Sequence, residues 1–182
     1  MKHSGLLWLI LHKAVYTGSK ALRIGKPNGL CPRCRHSLED LDHLFFYCPF
    51  NLKFIDLLHA CFSSTHPSPF SLQEILLGLC KNLDPPLWHW VRSLLLFHIW
   101  KERNAYLFQG GEGGQYLAFK ANLVTVSVQV GDLITDAAED FDQAFKDTKA
   151  LRWQVWKKRL LSLYSSKRLI MVQGIKDTLL PH

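Results

Sequence analysis

The segment Cys31-Pro32-Arg33-Cys34-Arg35-His36-Ser37-Leu38-Glu39-Asp40-Leu41-Asp42-His43-Leu44-Phe45-Phe46-Tyr47-Cys48 decides how this chain is read. Its spacing is C-x2-C-x8-H-x4-C. Tetrahedral Zn²⁺ takes four ligands from thiolate sulfur and imidazole nitrogen. A C-x2-C pair grips one ion from a tight turn, and an H-x4-C pair closes the tetrahedron from the opposite side. Four protein ligands leave no position for water. The spacing therefore points to a structural Zn²⁺ on Cys31, Cys34, His43 and Cys48, not a catalytic one. The competing explanation is a set of ordinary buried thiols. A C-x2-C pair alone would not exclude it, but a histidine and a third cysteine so close argue against it. His36 is a rival ligand, yet it follows Cys34 by two residues, an awkward return distance. His59, Cys61 and Cys80 read as core or surface residues. Bound metal makes the loop's folding depend on the ion. Five cysteines, an odd number, argue for a reducing compartment and against a disulfide framework.

Helical patterns flank this segment on both sides. Residues 5–25 look helical with a break near Thr17-Gly18, and Lys26-Pro27-Asn28-Gly29 is a turn. The helical pattern resumes from Leu52 to Phe62. Two prolines and small polar residues make 63–69 a linker. Ser71-Leu72-Gln73-Glu74 is a capping box opening a short apolar helix that ends near Cys80. Asp84-Pro85-Pro86 starts another helix, about Leu87 to Phe108. Trp88, Val91, Leu95, His98, Ile99 and Glu102 share one face of it. Gln109-Gly110-Gly111-Glu112-Gly113-Gly114 ends it. Residues 123–130 alternate as a strand would, while Tyr116, Phe119, Leu123, Val126, Val130, Leu133 and Ala137 keep helical spacing over a longer stretch. The longer pattern favours a helix. The expected fold is mainly α. A small helical zinc-stapled domain covers 1–62, a helical region continues it over 63–109, and C-terminal helices fill 110–182.

Composition sets outer bounds. The chain has 182 residues, too few for a polymerase and enough for one domain or two small ones. With 48% hydrophobic and 20% charged residues it belongs among globular chains. Its longest apolar run, Leu94 to Trp100, is interrupted by His98 and falls well short of the ~20 residues of a membrane span. Met1 to Leu11 has the faint outline of a signal peptide, but His12-Lys13 closes the apolar run and no small-x-small site follows. An amphipathic first helix capped by Ser4 is preferred. The protein is expected inside the cell, nuclear or cytoplasmic, with no membrane partner and no secretion.

The residues around the cluster resemble the zinc-binding domain that follows the reverse transcriptase in non-LTR (LINE-type) retrotransposon proteins. The resemblance rests on Trp8, Leu11-His12, Thr17-Gly18, Leu22-Arg23, Cys31-Pro32-Arg33-Cys34, Glu39 and His43-Leu44-Phe45-Phe46-Tyr47-Cys48-Pro49-Phe50. It continues in Trp100-Lys101-Glu102-Arg103-Asn104 and covers about residues 6–108. It implies a Zn²⁺ module that binds template RNA or target DNA, with the rest of a reverse transcriptase protein as a further partner. Nothing here matches the Tyr-x-Asp-Asp polymerase signature or an endonuclease constellation. The resemblance therefore implies a non-catalytic C-terminal portion of such a protein.

The charge distribution agrees with nucleic acid. Formal net charge is +7. Residues 20–35 hold Lys20, Arg23, Lys26, Arg33 and Arg35 and no acid. Residues 149–168 hold Lys149, Arg152, Lys157, Lys158, Arg159, Lys167 and Arg168, again without an acid, beside Trp153, Trp156 and Tyr164. Cations that neutralise phosphate and aromatics that stack on bases are the parts of single-strand binding. Those aromatics also fit the core stripe of an amphipathic helix. Arg33, Arg35 and the C-terminal cations are the expected phosphate contacts. The alternative is a structural or protein-interaction module with no nucleic-acid binding. The acidic run Asp132, Asp136, Glu139, Asp140, Asp142 and Asp147 reads as a solvated face and not as a nuclease site.

Overall fold

The computed structural model describes residues 2–63, 66–80, 83, 85–111, 114–126 and 177–179. The architecture is mainly α. Helices α1 (Lys2–Leu11) and α2 (Gly18–Arg23) precede the metal loop. A π-wound turn (His43–Tyr47) and a 3₁₀ turn (Pro49–Asn51) follow it. Then come α3 (Leu52–Phe62), α4 (Leu72–Leu77) and α5 (Pro85–Gln109). Residues 115–126 and 177–179 are also helical.

The first helical pattern divides where the backbone demands it. Ala14 N–H reaches Leu9 O at 2.6 Å and Lys13 N–H reaches Ile10 O at 2.9 Å. This pair of bonds is a Schellman stop, with Lys13 in the left-handed conformation (φ 51°) that glycine more often supplies. α1 also begins earlier than its sequence suggests. Lys2 is already helical, so Ser4 lies inside the helix and not at its cap. The break at Thr17-Gly18 has a steric cause. A Cβ on Gly18 would lie 2.1 Å from Gly29 O, so only glycine lets these two backbones meet.

The capping box forms as its residues dictate. Ser71 Oγ accepts from Glu74 N–H at 3.2 Å, and Glu74 Oε2 accepts from Ser71 N–H at 2.8 Å. α5 begins at a proline, whose missing N–H costs nothing in a first turn. It ends where Gly110 turns left-handed (φ 76°). The expected stripe of α5 is buried throughout, from Trp88 to Glu102.

One hydrophobic core runs through α1, the π-wound turn, α3, α4 and α5. It joins Ile10 of α1, Phe45 of the π-wound turn, Leu58 of α3, Ile75 of α4 and Leu95 of α5. Phe54 of α3 meets Tyr116 edge-on with ring centres 5.5 Å apart and also touches Phe119. Phe119, Leu123 and Val126 are buried, as the helical spacing requires. Residues 123–126 are helical, whereas 127–130 lie outside the described residues. So do the acidic run and the basic segment 149–168.

Candidate metal centre

The C-x2-C pair sits on a loop closed at its base by backbone bonds. Leu30 and Leu38 form an isolated antiparallel bridge. Cys31 N–H donates to Ser37 O and Arg35 N–H to Cys31 O, each at 2.9 Å. Arg35 takes a left-handed conformation (φ 60°) to complete the turn. Both sulfurs of the pair thus come from one rigid corner.

His43 and Cys48 flank the π-wound turn. Residues five apart on an ordinary α-helix point about 140° away from each other. The wider turn closes a bond from Cys48 N–H to His43 O at 3.0 Å and brings both residues round to the loop. Asp40 starts the turn, accepting from His43 N–H at 2.7 Å. Asn51 Nδ2 and Arg33 Nη2 both donate to Leu44 O at 3.0 Å, so the turn's carbonyl is satisfied by side chains.

The four donor atoms converge. Cys31, Cys34, His43 and Cys48 each place one ligand atom within 4.8 Å of all the others. Cys31 Sγ lies 3.8 Å from Cys48 Sγ, and Cys34 Sγ lies 3.4 Å from His43 Nε2. A tetrahedral ion about 2.3 Å from sulfur and about 2.05 Å from nitrogen needs edges of about 3.8 and 3.6 Å. The observed spacings match those edges. They are far too long for a disulfide, whose sulfurs sit about 2.05 Å apart. None of the five cysteines is in a disulfide.

The electrostatics fit a cation as well. The Cys31 thiol is lowered to about 4, chiefly by its hydrogen bond with Cys48, while burial opposes the shift and backbone N–H groups of Cys34 and Arg33 add to it. The same bond and burial push Cys48 upward. The two sulfurs thus share a hydrogen bond across the place that a metal would take. Three thiolates and an imidazole around a divalent ion carry a net negative charge. Arg33 supplies the counter-charge. It is 4% exposed, and its Nε and Nη1 find no hydrogen-bond partner among the described residues. A guanidinium buried with orphaned N–H groups is costly unless a negative centre lies beside it.

That placement corrects one expectation. Arg33 faces the thiolates and the Leu44 carbonyl, so it is not available to phosphate. Arg35 is exposed. Lys149, Arg152, Lys157, Lys158, Arg159, Lys167 and Arg168 lie outside the described residues. His36 turns its Nδ1 to the Cys34 carbonyl and stays exposed, outside the ligand cluster. Cys61 is buried in the core.

Residues 1–54 match the family described as zinc-binding in reverse transcriptase. No curated protein and no solved structure matches the chain. The matched stretch contains all four clustered residues, and the contacts that hold them in place extend past its end. Glu39 is fully buried and accepts from Gly18 N–H at 3.0 Å and from Arg103 of α5. Glu102, next along α5, accepts from Lys53 Nζ at 3.3 Å and from Gln115 N–H at 3.1 Å. The Trp100–Asn104 block therefore bolts the metal loop, α3 and the helix at 115–126 onto α5. Spacing alone did not reveal this. The signal was the charged run Lys101-Glu102-Arg103 toward the C-terminal end of a largely apolar helix.

Proposed function

We propose that this chain is a Zn²⁺-stapled nucleic-acid-binding module of non-LTR (LINE-type) retroelement origin, without polymerase or nuclease chemistry of its own. The carrying observation is the Cys31–Cys34–His43–Cys48 cluster, whose donor spacings suit a closed four-ligand ion. Thiolate and imidazole donors favour Zn²⁺ over hard cations. Bound there, the ion supplies folding free energy and no open coordination position. The residues do the rest. Cys31 and Cys34 hold the loop, His43 and Cys48 hold the turn, and Arg33 balances the charge.

Support for nucleic acid comes from the surface beside this centre. Lys13, Lys20 and Arg23 line a cleft of about 270 Å³ together with Thr17, Ser19, Asp40 and Asp42. Trp8 and Tyr16 stand 58% and 51% exposed, and Trp8 packs on His12 with ring centres 4.4 Å apart. Cations for phosphate beside aromatic faces for bases are what a single strand of RNA or DNA requires. The cations of 149–168 would extend the same chemistry. Free thiols suit a reducing compartment, nuclear or cytoplasmic. Among the described residues no helix is long and apolar enough to cross a membrane.

Fluorescence anisotropy with labelled single-stranded RNA and DNA, and with duplexes, across a salt series tests the reading. Affinity should fall steeply with salt, by about 0.7 log units per log unit of salt for each phosphate contact on a single strand. Lys20→Gln with Arg23→Gln should flatten that slope. Absent or salt-insensitive binding would favour the second reading, a protein-interaction module. The exposed Trp8, Leu9 and Leu11 of α1 are the observation behind that alternative.

A further inference from the structure

The zinc-binding domain accounts for four of the metal-ligating side chains, and a second group converges elsewhere. His66, Glu74 and Cys80 each place a donor atom within 4.8 Å of the other two. They come from three separate pieces of chain: the linker before α4, the first turn of α4, and the segment after it.

Each donor is oriented by other bonds. His66 Nδ1–H donates to Ser68 O at 2.7 Å, so in the neutral ring Nε2 carries the lone pair. The ring is 4% exposed and stacks on Phe70 with centres 4.4 Å apart, and Phe70 stacks on Trp88. Glu74 Oε2 is taken by Ser71 N–H and Ser71 Oγ, both at 2.8 Å. That leaves Glu74 Oε1 turned to His66 Nε2, 2.9 Å away. Two lone-pair acceptors face each other and need a cation between them. A proton on His66 satisfies both, and this is the simple hydrogen-bonded arrangement. A third donor converges on the same point. It is Cys80, 9% exposed.

We propose that His66, Glu74 and Cys80 form a second transition-metal site, independent of the Cys31–Cys48 centre. Imidazole, carboxylate and thiolate together select a Zn²⁺- or Co²⁺-type ion over Mg²⁺ or Ca²⁺. Three protein ligands leave one position for water, unlike the closed first site. Nitrogen and oxygen ligands on a tetrahedral ion sit about 3.4 Å apart, so binding opens the His66–Glu74 contact by about 0.5 Å. The metal would tie the two ends of the 66–80 segment together beside Phe70, which stacks on Trp88.

The test is metal stoichiometry on the full-length protein, by elemental analysis after zinc loading and gel filtration, with a parallel Co²⁺ titration followed by absorbance. The expected result is two equivalents of zinc per chain, falling to one in Cys80→Ser and in His66→Gln. Cys48→Ser should lose the first equivalent and keep the second, which separates failure of this site from failure of the first. Cys80→Ser should weaken one thiolate-to-cobalt band while circular dichroism stays unchanged. One equivalent in the wild-type protein overturns the proposal. So does a second equivalent that survives both Cys80→Ser and His66→Gln.

Discussion

Arg103 of α5 grips Glu39 of the metal loop through two parallel hydrogen bonds, Nε to Oε1 at 3.0 Å and Nη2 to Oε2 at 2.6 Å. Both side chains are buried, and Gly18 N–H adds a third donor to the same carboxylate. The loop's own backbone is tied in as well, since Ser19 N–H reaches Glu39 O and Glu39 N–H reaches Gly29 O, each at 2.9 Å. Losing one partner of such a pair strands the other charge away from water. Arg103→Met or Glu39→Gln should therefore lower stability by about 3–5 kcal/mol, measured by urea unfolding. Arg103→Lys keeps the charge but not the fork, and should recover only part of the loss. A loss below about 1 kcal/mol in Arg103→Met would mean that the pair does not hold the loop on α5.

Removing the metal should loosen residues 25–60 selectively. The loop has little hydrophobic burial between Gly25 and Ser37, so ligand bonds hold it. Amide hydrogen exchange with and without a strong chelator should show faster exchange there, with α5 protected in both. Cys48→Ser should mimic the chelator. A melting temperature unchanged by chelation, with no zinc on elemental analysis, would remove the metal centre altogether.

Arg33 and Arg35 are two residues apart and should behave differently. Arg33 is buried beside the thiolates, so Arg33→Met should weaken zinc binding about 10–100-fold in competition with a chromogenic chelator. Arg35 is exposed and left-handed. Arg35→Asn, which tolerates that backbone, should leave zinc affinity unchanged and flatten the salt dependence of nucleic-acid binding. Equal effects of both variants on zinc would contradict the division.

This contrast marks where sequence reading stops. The Cys31–Cys34–His43–Cys48 cluster, the Ser71–Glu74 box and the buried stripe of α5 were legible because each depends on spacing within one short stretch. Nothing local says that Arg33 turns inward while Arg35 turns out. The choice is made by the Leu44 carbonyl, freed by the π-wound turn, which Arg33 fills. Glu39 and Arg103 are 64 residues apart, and only packing of the loop on α5 pairs them. The π-wound turn itself was not legible either, although H-x4-C spacing requires something other than α-winding to bring both ligands to one side. The basic segment 149–168, which decided the charge reading, lies outside the described residues.

Glycine substitutions should separate required close approach from mere flexibility. A Cβ on Gly18 would meet Gly29 O at 2.1 Å, a backbone atom that cannot swing aside. Gly18→Ala should cost about 1–3 kcal/mol or more and displace the Glu39 contact. Gly5, inside α1, has nothing within 4 Å of its would-be Cβ. Gly5→Ala should stabilise by up to about 1 kcal/mol through helix propensity. The two variants thus move the unfolding midpoint in opposite directions. Equal shifts would mean that the Gly18–Gly29 approach is not tight.

The last prediction concerns acid. Burial works to raise the Glu74 carboxyl, but hydrogen bonds from Ser71 N–H, His66 and the Ser71 hydroxyl outweigh it and hold the group below its ordinary value. A carboxyl lowered in the folded state adds stability that is fully present above its unfolded value, about 4.3. That contribution is lost as pH falls through the folded value. In metal-free protein the wild type should therefore lose stability below about pH 5 more steeply than Glu74→Gln. At neutral pH Glu74→Gln should be the less stable, since glutamine keeps only part of the capping box. Urea unfolding at pH 7 and pH 4 reads both. Parallel pH profiles for the two proteins would show that Glu74 titrates alike folded and unfolded, and that its bonds to Ser71 and His66 add nothing to the charged form.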